Sequence, residues 1–171
     1  GRSWTSLKDD ARELLGSMPA EELQTYRAAY DGVAAKQLAK AVAAGDFYAV
    51  ALVGRRYFHT KAGQQAADIV ASHYLDRGEF GLANHWFQAL LQPQADITSS
   101  PAWRAKAALA AKLSSLATKG AQPPWTVEFQ QDDVARLGGD QKNLAAWLDE
   151  INEVPRPMVA SRCCYHGGTN H

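Results

Sequence analysis

The chain holds only two cysteines in 171 residues, and they are adjacent, Cys163 and Cys164. That excludes a disulfide-stapled scaffold and leaves the redox compartment open. No apolar run approaches the roughly 18 residues that a membrane-spanning helix requires. The opening Gly-Arg-Ser-Trp lacks the apolar core of a secretory signal. Neither sign of charge dominates: 18 Lys and Arg face 18 Asp and Glu, for a formal net charge of zero. The balance supplies no global pull toward nucleic acid or anionic lipid. No glycine-rich phosphate loop is present, and no serine or cysteine comes with a recognisable base. No catalytic residue, cofactor-binding residue or cofactor is therefore assigned, and enzyme activity is not expected.

What the chain does have is alanine and helical periodicity. Apolar residues make up 46% and aromatics 9%, in a composition that favours helices and has few β-branched runs. Trp4, Leu7, Ala11, Leu14, Leu15 and Met18 recur at three- and four-residue steps and predict an amphipathic helix. Pro19 and the acids Glu21 and Glu22 suit the first turn of the next, whose stripe is Leu23, Tyr26 and Tyr30. Asp31-Gly32 reads as a break, with Asp31 capping a third helix that carries Val33, Leu38 and Val42. Asp46 starts a helix with Phe47, Val50, Gly54, Tyr57 and Phe58 inward. Thr60 caps one with Ala66, Ile69, Val70, His73 and Tyr74. Phe80, Ala83, Phe87 and Leu90 line another, closed by Pro93. Ser100-Pro101 opens a helix with Ala102, Ala105, Leu109, Leu113 and Leu116 inward and Trp103 beside them. Asp140 is expected to cap a last helix bearing Leu144, Trp147, Leu148 and Ile151. This predicts about eight helices over residues 1–154, with no sheet larger than one strand pair near Val127. An extended, aperiodic tail follows over 155–171.

Two tripeptides punctuate this pattern, Gly45-Asp46-Phe47 and Gly78-Glu79-Phe80, 33 residues apart. Such a period belongs to stacked helical hairpins, in which neighbours bury the face that one hairpin leaves open. The segment from Ala67 to Pro93 resembles a tetratricopeptide repeat. Ala71, Tyr74, Gly78, Phe80, Ala83, Phe87 and Pro93 hold that family's small, aromatic, glycine and proline positions. The preceding unit, Leu38 to Phe58, is degenerate, with Gly54 where an aromatic is usual. A third unit begins near Trp103. The fold class that follows is all-α, a tetratricopeptide-like stack of antiparallel helix pairs (an α-solenoid) with an irregular C-terminal tail.

A narrower resemblance rests on Met18-Pro-Ala-Glu-Glu-Leu-Gln-Thr-Tyr-Arg-Ala-Ala-Tyr-Asp31, Arg56-Tyr-Phe-His-Thr-Lys-Ala-Gly63 and Asp76-Arg-Gly-Glu-Phe80. These stretches are similar to the N-terminal helical region of large bacterial proteins that end in a β-propeller. That propeller is of the pyrroloquinoline-quinone-dehydrogenase-like repeat type. Tyr165-His-Gly-Gly-Thr-Asn170 resembles the start of a first propeller strand, with Cys163-Cys164 where Trp-Pro is usual. The resemblance implies a piece of a longer protein, an extracytoplasmic setting in periplasm or cell envelope, and a β-propeller domain as neighbour. It supplies no catalytic residue.

Cys163, Cys164, His166 and His171 form the single cluster of soft side chains and are the metal candidates. Adjacent cysteines chelate poorly, so a terminal segment without metal is the simpler reading. His73, on a buried stripe, reads as structural. Arg55-Arg56 is the most basic local spot, yet no interleaved aromatics suggest stacked bases, and no nucleic-acid partner is expected. Two functions follow. The first is a non-enzymatic scaffold that docks a partner protein through Gln37, Lys40, Gln64, Gln65, Asp68 and Lys106, polar positions on the first helices of successive hairpins, with Trp86 either an interface anchor or packed against Trp103. The alternative is an accessory N-terminal domain of a quinoprotein-like propeller enzyme.

Overall fold

A computed structural model describes residues 7–92, 100–118, 134–137 and 140–152. Among them are seven helices: α1 (Leu7–Gly16), α2 (Ala20–Ala43), α3 (Phe47–Arg56), α4 (Lys61–Asp76), α5 (Phe80–Leu91), α6 (Pro101–Ala117) and α7 (Leu144–Glu150). A single antiparallel ribbon, β1 (Val134–Leu137) with β2 (Asp140–Asn143), precedes α7, pairing Val134 with Asn143 and Leu137 with Asp140. The protein is helical in class.

The two Gly-acid-Phe tripeptides build equivalent corners. Gly45 and Gly78 both take left-handed backbone, φ 63° and 77°, which glycine alone adopts without a Cβ penalty. The Gly45 amide donates to Val42 O and the Asp46 amide to Ala41 O, both at 3.0 Å. Gly78 repeats this with Leu75 O at 3.1 Å, and Glu79 with Tyr74 O at 2.9 Å. Each corner thereby satisfies the last carbonyls of the helix before it. The acids then diverge. Asp46 accepts the Ala49 amide at 2.9 Å and caps α3, whereas the Glu79 carboxylate takes Arg77 Nε at 2.9 Å. Thr60 and Ser100 cap α4 and α6 through Gly63 N and Ala102 N, as the sequence predicts.

Consecutive helices α2 to α6 pack on one another, and α2 also reaches α4, while α4 reaches α6. The main core lies between them, from Leu38 and Val53 through Phe58, Val70 and Phe87 to Ala107 and Ala110. Phe80, Ala83, Phe87 and Leu90 are all buried, and Tyr74 packs against the same core while partly exposed. A satellite cluster joins Ala108 of α6 to Leu144 and Leu148 of α7.

Several expectations are corrected. Residues 20–43 form one unbroken helix, so Asp31-Gly32 is no break. A Cβ at Gly32 would meet nothing within 4 Å; glycine there costs helix stability without ending the helix. Asp31 instead accepts the Lys61 amide at 3.3 Å from the start of α4. In the continuous helix Leu23, Ala34, Leu38 and Ala41 face inward, which turns Tyr30, Val33 and Val42 outward. Leu14 and Ile69 also face outward, at 70% and 40% exposure. In α6 the buried residues are Ala107, Ala108, Ala110 and Leu113, while Ala102 is exposed and Ala105, Leu109 and Leu116 are only partly covered. That helix faces α5 on one side and α7 on the other, which widens its buried face beyond a single stripe. Asn143, not Asp140, caps α7, because Asp140 is taken into β2. Pro93, the pair expected near Val127 and the tail 155–171 lie outside the described residues.

Candidate functional site

The sequence Arg56-Tyr-Phe-His-Thr-Lys-Ala-Gly63 forms the α3–α4 corner, and its chemistry explains its composition. Thr60 is fully buried; its hydroxyl donates to Tyr57 O at 2.7 Å and accepts the Gly63 amide at 3.0 Å. A Cβ at Gly63 would collide with the Tyr57 carbonyl and the Phe58 amide nitrogen, so the tight return admits only glycine. Tyr57, Phe58 and His59 are drawn inside. The corner then collects the first two helices. His59 Nε2 lies 2.8 Å from Arg12 O of α1, and Arg27 Nε of α2 donates to His59 O at 2.9 Å. Tyr26 stacks on Tyr30 with ring centroids 4.8 Å apart, and Tyr30 stands 6.1 Å from Tyr57. Burial, reinforced by Tyr30 and Tyr57, raises the Tyr26 phenol above its ordinary pKa against the opposing pull of Arg56.

Beside this corner α3 carries an outward stripe. Tyr48, Leu52, Arg55 and Arg56 lie at helical spacing on one side, with Tyr48 at 70% and Leu52 at 42% exposure. Two cavities flank it. The first, about 300 Å³, lies between α1 and α3 and is lined by Ala11, Arg12, Leu15, Leu52, Phe58 and the two arginines, with His59. The second, about 390 Å³, lies between α2 and α3, with Gln37, Lys40, Ala41, Asp46, Val53 and Arg56 among its walls. Leu52 and Arg56 belong to both. The arginines rest against rings: Arg12 on Phe58 at 5.4 Å, Arg55 on Trp86 at 5.7 Å and Arg56 on Tyr57 at 5.4 Å. For Arg55 and Arg56 such contacts fix the guanidinium on apolar ground while leaving N–H donors for anions.

The partner-binding residues named from sequence are not all at the surface. Gln37 is exposed and donates to Tyr57 Oη at 3.3 Å; Lys40 and Gln65 are exposed. Gln64 is buried. Asp68 and Lys106 are bound to each other at 2.7 Å, and Lys106 also donates to Ser72 Oγ at 3.0 Å, so this pair ties α4 to α6. Trp86 is 6% exposed and packs inward, with Cζ3 only 3.3 Å from where a Gly54 Cβ would stand. The glycine that makes the first repeat degenerate therefore makes room for the Trp86 ring. His73 is structural, its ring 4.0 Å from Phe47.

Among the described residues no group of three His, Cys, Asp or Glu is placed to hold a metal ion. Cys163, Cys164, His166 and His171 lie outside them. No helix among the described residues is long and apolar enough to cross a membrane. The α3 stripe was visible in sequence only as the basic pair Arg55-Arg56. The cavities beside it depend on α1 and α2, whose approach no local pattern encodes. Comparison with protein-family models, curated proteins and solved structures finds no match for this chain.

Proposed function

We propose that the chain is a non-enzymatic helical-repeat module that docks a partner protein or domain. The observation that carries this reading is the packing scheme. The longer helices α2, α4 and α6 alternate with the shorter α3 and α5; each packs on its neighbours in sequence, and α2 reaches α4 as α4 reaches α6. That order supports a tetratricopeptide-like stack of the hairpins α2–α3 and α4–α5 followed by α6. Rigid stacks of this kind offer the side chains of their first helices to a partner at little entropic cost. The exposed residues Gln37, Lys40, Gln65 and Ile69 are the contributors on α2 and α4. The partner that the sequence resemblance implies is a β-propeller domain.

Photo-crosslinking groups placed singly at Gln37 and Gln65, in extracts of the native source, test the reading. One discrete protein partner is expected from both positions, and none from the exposed position His85 on α5. Equal crosslinking from His85, or turnover of a substrate by the chain alone, overturns it.

A further inference from the structure

The outward stripe of α3 combines three properties that the core and caps do not need. It is apolar where a lone helix should be polar, since Tyr48 and Leu52 are exposed on it. It is hollow on both sides, with cavities of about 300 and 390 Å³ that meet at Leu52 and Arg56. It is also basic. Arg12, Arg55 and Arg56 line the first cavity, with no acid among its described walls, and Lys40 and Arg56 line the second. The one acid there, Asp46, is engaged with the Ala49 amide at 2.9 Å. No carboxylate among the described residues forms an ion pair with Lys40, Arg55 or Arg56.

We infer that this surface docks an acidic amphipathic helix of a partner protein along α3, with two apolar side chains entering the cavities on either side of Leu52 and carboxylates pairing with Lys40, Arg55 and Arg56. The inference rests on the reading of the chain as an interaction module and adds the chemistry of the partner. Charge complementarity sets its sign: among the described residues the two walls carry four cations against the single capping carboxylate of Asp46, which calls for carboxylates, and arginine forks bind them bidentately. Shape sets its class. A small anionic amphiphile would fill one cavity and leave the other hollow and Tyr48 in water. A helix laid on the ten residues of α3, roughly 15 Å long, covers the ridge and reaches both hollows at once, the helix-in-groove mode. The apolar walls equally disfavour a phosphate backbone.

A fluorescent peptide of about fourteen residues, roughly 20 Å as a helix, tests the inference by anisotropy. It carries leucine and phenylalanine at helical spacing and glutamate elsewhere. Saturable, salt-sensitive binding is expected, at least about tenfold tighter than that of a scrambled peptide of the same composition or of its lysine counterpart. Leu52→Asp and Arg56→Glu, both at exposed positions, should each weaken binding about tenfold or more while the far-ultraviolet helical spectrum is retained. Arg56→Glu should in turn favour the lysine peptide. Equal affinity for the scrambled peptide, or insensitivity to both substitutions, overturns the inference. So does self-association abolished by Leu52→Asp, which would make a second copy the occupant, or stronger capture by phosphatidylglycerol vesicles, which would make it a membrane. Persistence of the crosslinks from Gln65 beside any of these failures leaves the interaction-module reading standing; loss of both removes it.

Discussion

His59 Nε2 lies 2.8 Å from the carbonyl oxygen of Arg12, joining residues 47 positions apart. The same imidazole fills the space above Gly16, where a Cβ would stand 3.2 Å from His59 Cε1. α1 is thus seated on the α3–α4 corner through one buried ring, and with it the α1 wall of the first cavity. Replacing His59 with alanine removes both contacts and leaves a hollow. The expected loss is about 1–3 kcal/mol, the range for a buried hydrogen-bonding group deprived of its partner. Native-state hydrogen exchange should show protection falling in α1 before α4 and α5.

Glycines separate by what surrounds them. Gly63→Ala drives a methyl into the backbone of Tyr57 and Phe58 and should destabilise by more than about 3 kcal/mol, the upper range for overpacking. Gly32→Ala meets nothing within 4 Å on an exposed helix face and should stabilise by about 0.5–1 kcal/mol. Urea unfolding of the two variants should move in opposite directions from the parent.

Phe87 is fully buried where α5 meets the main core. Phe87→Ala should cost about 3–5 kcal/mol, as truncation of a buried phenylalanine does. An unchanged melting temperature would contradict the packing between α4 and α5.

The Asp68–Lys106 bond, though only 2.7 Å long, joins side chains about a third exposed. Solvent screening limits its worth, and a double-mutant cycle should return less than about 1 kcal/mol, most of it lost in high salt. A larger, salt-insensitive coupling would mean that α4 and α6 depend on the pair far more than its exposure allows.

Tyr26 predicts an alkaline limit. Its pKa is raised from the ordinary 10.0, first by burial and then by Tyr30 and Tyr57. Folding therefore favours the neutral phenol. That contribution is complete below the unfolded pKa and is lost as pH rises through the folded one. Stability should fall above about pH 10, and less steeply in Tyr26→Phe. Ultraviolet titration should show one late-ionising tyrosine in the parent that is missing from the variant.

Local signals were legible wherever the physics is local. Gly45 and Gly78 as helix stops, Asp46, Thr60 and Ser100 as caps, and the stripe Phe80, Ala83, Phe87 and Leu90 follow from backbone freedom, short polar side chains and a 3.6-residue period. Each acts within a turn or two of its own position. Where a partner elsewhere in the chain competed with a local signal, the local reading failed. Asp31-Gly32 carries a break and Asp140 a cap, yet Asp31 serves the start of α4 and Asp140 a strand. Their alternatives come from chain far away or from a neighbouring strand.

The sequence by itself determined the helical class, the positions of the corners and the faces of α3 and α5, because periodicity and capping need no knowledge of neighbours. Only the tertiary structure decided that Trp86 is buried and that Asp68 and Lys106 satisfy each other. It also decided that the unassuming pair Arg55-Arg56 borders two hollows. Burial and pairing belong to surfaces that meet across tens of residues. The Gly54 that looked like a lapse in a repeat became, once α3 lay on α4, the space that holds the Trp86 ring.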